Sequence, residues 1–279
     1  MRSTTPATVD WSDLAVRDGG PTAEGDQSTG RSAGVGSPVP RSVAAALAAG
    51  GVLGQVAYPL TRGAARDLVT VTTVALFLAA VLLESRTARV ASGVVGIAAG
   101  AYGVELLGVH TGWPFGHYRY TGGLGPAPGG VPLVVALSWA AMATAALRCA
   151  RFTWSRRWST LIAAAWTLVA WDLFLDPQMV AAGHWRWAAP HPGWYAVPLS
   201  NLAGWLAVAT VLCAALLLAW GRERTGPAPT VSVVILLWTY VAEVIGNLFF
   251  FDRPLLAVVG AVVMGVTVGP IGRSLARHR

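Results

Sequence analysis

From residue 42 onward the chain repeats one pattern: apolar stretches of about 18–24 residues, separated by short polar or Gly/Pro-rich connections. A helix of that length crosses the ~30 Å hydrocarbon core of a bilayer. The stretches fall at 42–60, 68–84, 89–109, 131–149, 159–176, 197–220, 230–250 and 254–271. They predict an all-α, polytopic transmembrane helix bundle of about eight spans. Seven is the alternative count, because only the short turn Phe251–Arg253 separates the last two. Glycines inside the third and last spans (Gly93, Gly96, Gly100, Gly103, Gly260, Gly265) suit close helix packing in lipid.

Composition agrees. Charged residues make up 12% of the chain, against about 25% in soluble domains, which excludes a soluble globular enzyme. All 20 basic residues are Arg, a compositional bias and not a functional signal. The net charge of +7 does not mark a nucleic-acid binder, because the arginines lie between apolar spans and form no single patch. Cys149 and Cys213 lie inside apolar stretches, make no CxxC pair, and read as packing residues.

Residues 1–40 differ from the rest. They are rich in Gly, Ser, Thr and Pro, with five acids, three Arg and no apolar periodicity. They are expected to form a disordered cytoplasmic tail, and they lack the pattern of a signal peptide. The transmembrane domain is expected over 41–272 and a short basic cytoplasmic end over 273–279. With the N-terminus inside, the inner segments hold 15 arginines and the outer ones five: Arg62, Arg66, Arg119, Arg186 and Arg253. Both termini are therefore predicted to be cytoplasmic, in a multi-pass protein of the cell membrane.

Carboxylates within spans are costly and usually functional. Glu105, Asp172, Asp176 and Glu243, with Asn247 one turn beyond, all fall in the outer half of the bilayer under this topology. The two loops with unusual chemistry, 110–130 and 177–196, open on the same side, so a site is expected there. Asp172 and Asp176 are spaced i, i+4 and share a helix face. Two carboxyls close together in low dielectric do not both ionise easily, so one is expected to carry a proton and can serve as a general acid. The structural alternative is that the pair binds Arg119 or Arg186, or caps a helix ending before Pro177. Glu105 and Glu243 have the corresponding alternative of interhelical hydrogen bonding.

The loop 111–126 is full of Gly, Pro and aromatic residues, and such a loop can fold back to line a cavity where protein covers it. The second loop carries His184-Trp185-Arg186-Trp187 and His191-Pro192-Gly193-Trp194-Tyr195. Its aromatics are either interfacial anchors or a wall for an elongated apolar ligand that also stabilises a cation. His110 and His117 are seven apart, as are His184 and His191, but Gly and Pro interrupt both intervals; no metal ligand is assigned.

Several ordered motifs together carry a family resemblance. Pro114-Phe115-Gly116-x-Tyr118-x-Tyr120, Leu124-Gly125-Pro126 and Gly130-Val131-Pro132 resemble the signature loop of the integral-membrane carotenoid biosynthesis proteins, a family that includes the gamma-carotene 1′,2′-hydratase and the bisanhydrobacterioruberin hydratase. Glu105, Trp171-Asp172-x-x-x-Asp176-Pro177, Gly183-x-Trp185-x-Trp187 and Val197-Pro198…Asn201…Gly204-Trp205 continue the match, over about residues 40–272. His117 and Arg119 fall at variable positions of the pattern and receive no role. Ala196 and Leu202 depart from it, where the family pattern carries Gly and Phe.

The resemblance implies acid-catalysed addition of water across the terminal 1′,2′ double bond of an acyclic or monocyclic carotenoid, a hydro-lyase reaction without cofactor. It needs a buried acid, a polar group to hold water, and a dry aromatic slot. Asp172 or Asp176 is expected to donate the proton, with Glu105 or Asn201 positioning the water. Trp113, Phe115, Tyr118, Tyr120, Trp185 and Trp187 are expected around the end group, with Asn201, Glu243 and Asn247 as further substrate-binding residues. The expected partners are a carotenoid within the bilayer and other membrane enzymes of the same pathway.

Three other readings remain. Asp-x-x-x-Asp can hold Mg²⁺ and a diphosphate in a membrane prenyltransferase, although such enzymes usually carry two acidic clusters and one is present here. A non-catalytic carotenoid-binding or scaffold protein would use the polar cluster as packing glue. A transporter would place its polar groups at the midplane of repeated halves, and neither feature is seen.

Overall fold

A computed structural model describes residues 41–85, 87–221 and 228–277; the expected disordered tail over 1–40 lies outside them. Among the described residues, eight helices are long and apolar enough to cross a membrane: α1 (Arg41–Ala57, extended by a 3₁₀ turn at Tyr58–Leu60), α2 (Gly63–Ser85), α3 (Ala88–Thr111), α4 (Leu133–Thr153), α5 (Arg157–Ala182), α6 (Leu199–Trp220), α7 (Thr230–Phe249) and α8 (Pro254–Arg277). The seventh and eighth are distinct, separated at residues 250–253, where Asp252 adopts a positive φ of 53°.

α4 is the most enclosed helix, with 14 of its 21 residues buried. It packs against α2, α3, α5, α7 and α8. Its small alanines allow this, because helices in lipid associate through close van der Waals fit. Gly260 of α8 admits the Phe174 ring of α5, and Gly93 and Gly100 of α3 face Trp220 and Leu212 of α6. Gly96 and Gly103, expected to pack likewise, have nothing within 4 Å of where a side chain would begin. Cys149 and Cys213 are both free and buried.

Two helix ends differ from the sequence reading. α5 does not stop before Pro177 but runs through it to Ala182. A proline removes one backbone donor, and a packed transmembrane bundle can absorb that loss. The helix ends instead at Gly183, whose φ of 82° suits glycine. α2 begins at Gly63, ahead of the apolar run, so Arg66 and Asp67 lie on its first turns.

The two Gly/Pro-rich loops are also more regular than the all-α description implies. Strand β1 (Tyr118–Tyr120) pairs antiparallel with β2 (Trp185–Trp187), in the register Tyr118↔Trp187, Arg119↔Arg186, Tyr120↔Trp185. The Thr121 N–H to the His184 carbonyl (2.9 Å) and the Ala188 N–H to the His117 carbonyl (2.8 Å) extend the pairing at both ends. Strands β3 (Gly193–Trp194) and β4 (Val197–Pro198) form a hairpin. Its two loop residues, Tyr195 and Ala196, have φ of 48° and 63°, the pattern of a type I′ turn.

At the other face of the bundle, Glu84 at the end of α2 accepts the Val231 N–H at 2.7 Å and the Ser232 N–H at 3.0 Å, capping α7. Arg148 of α4 pairs with the same carboxylate at 3.4 Å. That lock holds three helices in register while the strands cover the opposite face.

Candidate active site

Beneath the strand pair lies a cavity of about 290 Å³, walled by residues of α1, α2, α3, α4, α5, α6, α7 and both strands β1 and β2. Strand alternation builds its lid: Tyr118, Tyr120, Trp185 and Trp187 line the cavity, while Arg119 and Arg186 are exposed on the outer side. His184 anchors one edge of the lid, its Nε2 lying 3.6 Å from Asp67 Oδ1 on α2.

Phe115 fixes the loop that leads into β1. It is fully buried and plugs a slot between Gly108 of α3 and Gly204 of α6, where an added Cβ would lie 2.7 and 2.8 Å from its ring. Its ring stacks on Trp205 at 4.6 Å, Trp205 stacks on Trp139 at 4.0 Å, and Trp171 meets Trp139 edge-on at 6.2 Å. Trp139, Trp171 and Trp205 form one aromatic wall of the cavity. Phe115 itself lies behind that wall and supports it.

The carboxylates expected from sequence converge here. Glu105 is buried and accepts hydrogen bonds from the Tyr118 and Tyr120 hydroxyls on the same oxygen, that from Tyr120 at 2.8 Å. Burial, reinforced by the Glu105 carboxyl, pushes both tyrosine hydroxyls well above their ordinary range, so they remain donors. On α5, Asp172 and Asp176 contact each other one turn apart. Asp176 accepts the side-chain N–H of Asn201, whereas Asp172 Oδ2 has no protein partner. Both aspartates line the cavity, as does Asn201. Neither Arg119 nor Arg186 neutralises them, and no helix end is capped by them.

Glu243 lines the same cavity, and Asn247, buried behind it, donates to its carboxylate at 3.4 Å and to its backbone carbonyl at 2.9 Å. Trp113 does not join this group. Its side chain is 68% exposed on the loop surface, where a residue between Gly112 and Pro114 points away from the lid. His110, His117 and His191 are exposed as well. Among the described residues no three His, Cys, Asp or Glu side chains are grouped as metal ligands.

Several lining residues carried no signal in the sequence. Gln55 and Tyr58 of α1, Thr73 of α2, Gln178 of α5, and Trp238 and Thr239 of α7 all face the cavity. Gln178 follows the proline taken to end its helix, and the others are single polar or aromatic positions within apolar runs. Tyr58 also receives the Arg66 guanidinium 5.0 Å above its ring.

A family model described as "Carotenoid biosynthesis protein" matches residues 65–268. A bisanhydrobacterioruberin hydratase of Haloarcula japonica is 37% identical over 134 residues, which cover 45% of this chain and 43% of that protein. The match thus spans less than half of that relative's length. No solved structure matches the chain.

Proposed function

Because the chain belongs to the carotenoid biosynthesis protein family, we propose that it hydrates the terminal 1′,2′ double bond of an acyclic or monocyclic carotenoid, with Asp172 as the acid. The name of the partly matching hydratase supports the reaction class. The observation that carries the residue assignment is the asymmetry of the aspartate pair. Asp176 is held by Asn201, while Asp172, which also lines the cavity, keeps its Oδ2 without a protein partner.

In this reading the end group lies against Trp139, Trp171 and Trp205. Asp172 gives its proton to C2′ as the double bond breaks, leaving a tertiary cation at C1′ that the ring faces stabilise. A water oriented by Glu105 bonds to C1′ and passes its extra proton to that carboxylate. The proton returns from Glu105 to Asp172 through water, restoring both carboxyl groups. One alkene and one water give one tertiary alcohol, with no change of oxidation state overall. A cavity of about 290 Å³ is at the lower limit of ligand pockets, roughly 300–1,000 Å³, and suits an end group, not a whole polyene. The remaining chain passes into the bilayer between α1 and α7, where the lining residues Val56, Ile245 and Phe250 are exposed on the outside of the bundle. The arginine distribution supports placing the lid on the outer face.

The test is expression in a bacterium that accumulates acyclic or monocyclic carotenes, with pigments analysed by chromatography and mass spectrometry. Wild type and Trp113→Ala are expected to yield a more polar pigment heavier by one water, and Asp172→Asn none. Full conversion by Asp172→Asn would overturn the assignment. Pigment retained on purified wild-type protein without conversion would favour a carotenoid-binding role.

A further inference from the structure

Among the described residues, 14 buried side-chain polar atoms have no hydrogen-bond partner, and seven of them belong to residues that line this one cavity. Asp172 is accounted for by the proposed chemistry. Four of the others belong to lining residues of α1, α2 and α5: Gln55 Oε1 on α1, Tyr58 Oη on the turn that extends it, Thr73 Oγ1 on α2, which lies against Gly54 of α1, and Gln178 Oε1 on α5. The Tyr58 hydroxyl lies beside the Gln178 side chain without a well-formed hydrogen bond to it. Gln55, on the cavity lining, spends its N–H on Thr239 at 3.4 Å and leaves its carbonyl oxygen without a partner.

A hydrocarbon can satisfy none of these atoms, and each left unpaired costs about 1–3 kcal/mol. A wall built for the polyene alone would be apolar, as the aromatic side is. Water suits the set, since a bound water needs two to four polar partners, and the two hydroxyls with two amide oxygens offer both donors and acceptors. The wall is also placed to be filled from the surface. Tyr58 stands at the end of α1, beneath Arg66, whose Nε–H is held by the Thr61 carbonyl at 2.8 Å. From Gln178 the same helix leads to Asp176 and Asp172, a descent of six residues or about 9 Å.

We propose that Gln55, Tyr58, Thr73 and Gln178 form a water-binding wall that admits water beneath Arg66 and holds the reactant water beside the acid pair. The role of that water as nucleophile rests on the hydration reading; its presence does not.

Hydroxyl-radical footprinting of the full chain in lipid nanodiscs, without substrate, tests the wall directly. Radicals generated from bound water are expected to label Tyr58 and Met179, both on the cavity lining, faster than Met264, which is buried outside it. The Thr73→Val/Gln178→Leu double variant is expected to lose that excess labelling and still retain carotene. Tyr58→Phe keeps the ring under Arg66 and removes one partner, so its turnover is expected to fall roughly 2- to 10-fold with KM for the carotene unchanged. Labelling of Tyr58 and Met179 no faster than Met264 overturns the proposal, as does undiminished labelling in the double variant. Excess labelling in a protein that hydrates no carotene would support the water wall and refute the hydration reading.

Discussion

Replacing Gly108 with alanine tests how the helical frame holds the chemistry in place. Gly108 lies one turn beyond Glu105 on α3, and its added Cβ would sit 2.7 Å from both the Tyr118 hydroxyl oxygen and Phe115 Cδ2. Ordinary contact begins near 3.4 Å, so both rings must retreat by about 0.7 Å. That displacement stretches the bond from the Tyr118 hydroxyl to Glu105 without breaking it, while Tyr120 keeps its own bond at 2.8 Å. Losing one hydrogen bond to a carboxylate costs about 1.5–3 kcal/mol. With the bond stretched and the second donor intact, less than that full cost applies, and conversion should fall about 2- to 10-fold. The assay is the fraction of carotene converted per amount of membrane protein, with thermal unfolding of purified protein measured in parallel. Tyr118→Phe removes one of the two atoms that Cβ would strike and leaves Phe115 Cδ2 as the other. In that background only the Phe115 contact remains, so Gly108→Ala should cost less, giving a coupling of about 1 kcal/mol in a double-mutant cycle. Effects that add to within about 0.5 kcal/mol would show that Gly108 does not act through Tyr118, and the account of Glu105 orientation would fall.

Two further predictions concern the scaffold. Gly260→Ala would place Cβ 2.1 Å from the Phe174 ring and should lower stability by about 1–3 kcal/mol, whereas Gly96→Ala, with open space around it, should leave the unfolding midpoint unchanged; equal midpoints for both variants would refute the packing argument. Ala196→Gly should raise stability by about 1 kcal/mol, because an L side chain is disfavoured at a φ of 63°, and a thermal melt without an upward shift would count against strain at that turn.

Hydropathy located the eight spans because the bilayer imposes one length on all of them. Its errors fall where other forces decide a helix end. Pro177 looked like a stop, yet packing around α5 carries the helix six residues further and brings Gln178 and Met179 to the cavity. The charged start of α2 was hidden because Arg66 and Asp67 break the apolar run, although they face the lid and the surface rather than lipid. The in-span carboxylates could be read from their cost, and Glu105, Asp172, Asp176 and Glu243 do share one cavity. The pairing of β1 with β2 could not be read, because each strand is three residues long and its partner is more than sixty residues away. Ala196 shows the converse. The family pattern carries glycine there, and the positive φ gives the physical reason.

Loops between transmembrane helices ordinarily accept insertions and deletions freely. The segments holding β1 and β2 should not. Side chains in a strand alternate between faces, so shifting either strand by one residue would turn Arg119 or Arg186 inward, toward the buried carboxylates, and put two aromatic rings outside. A single-residue deletion before Tyr118 would therefore convert an aromatic roof into a cationic one without altering any helix. The tolerance of these connections to length change is set by parity, and only changes that preserve the inward phase of the strands leave the chamber beneath them intact.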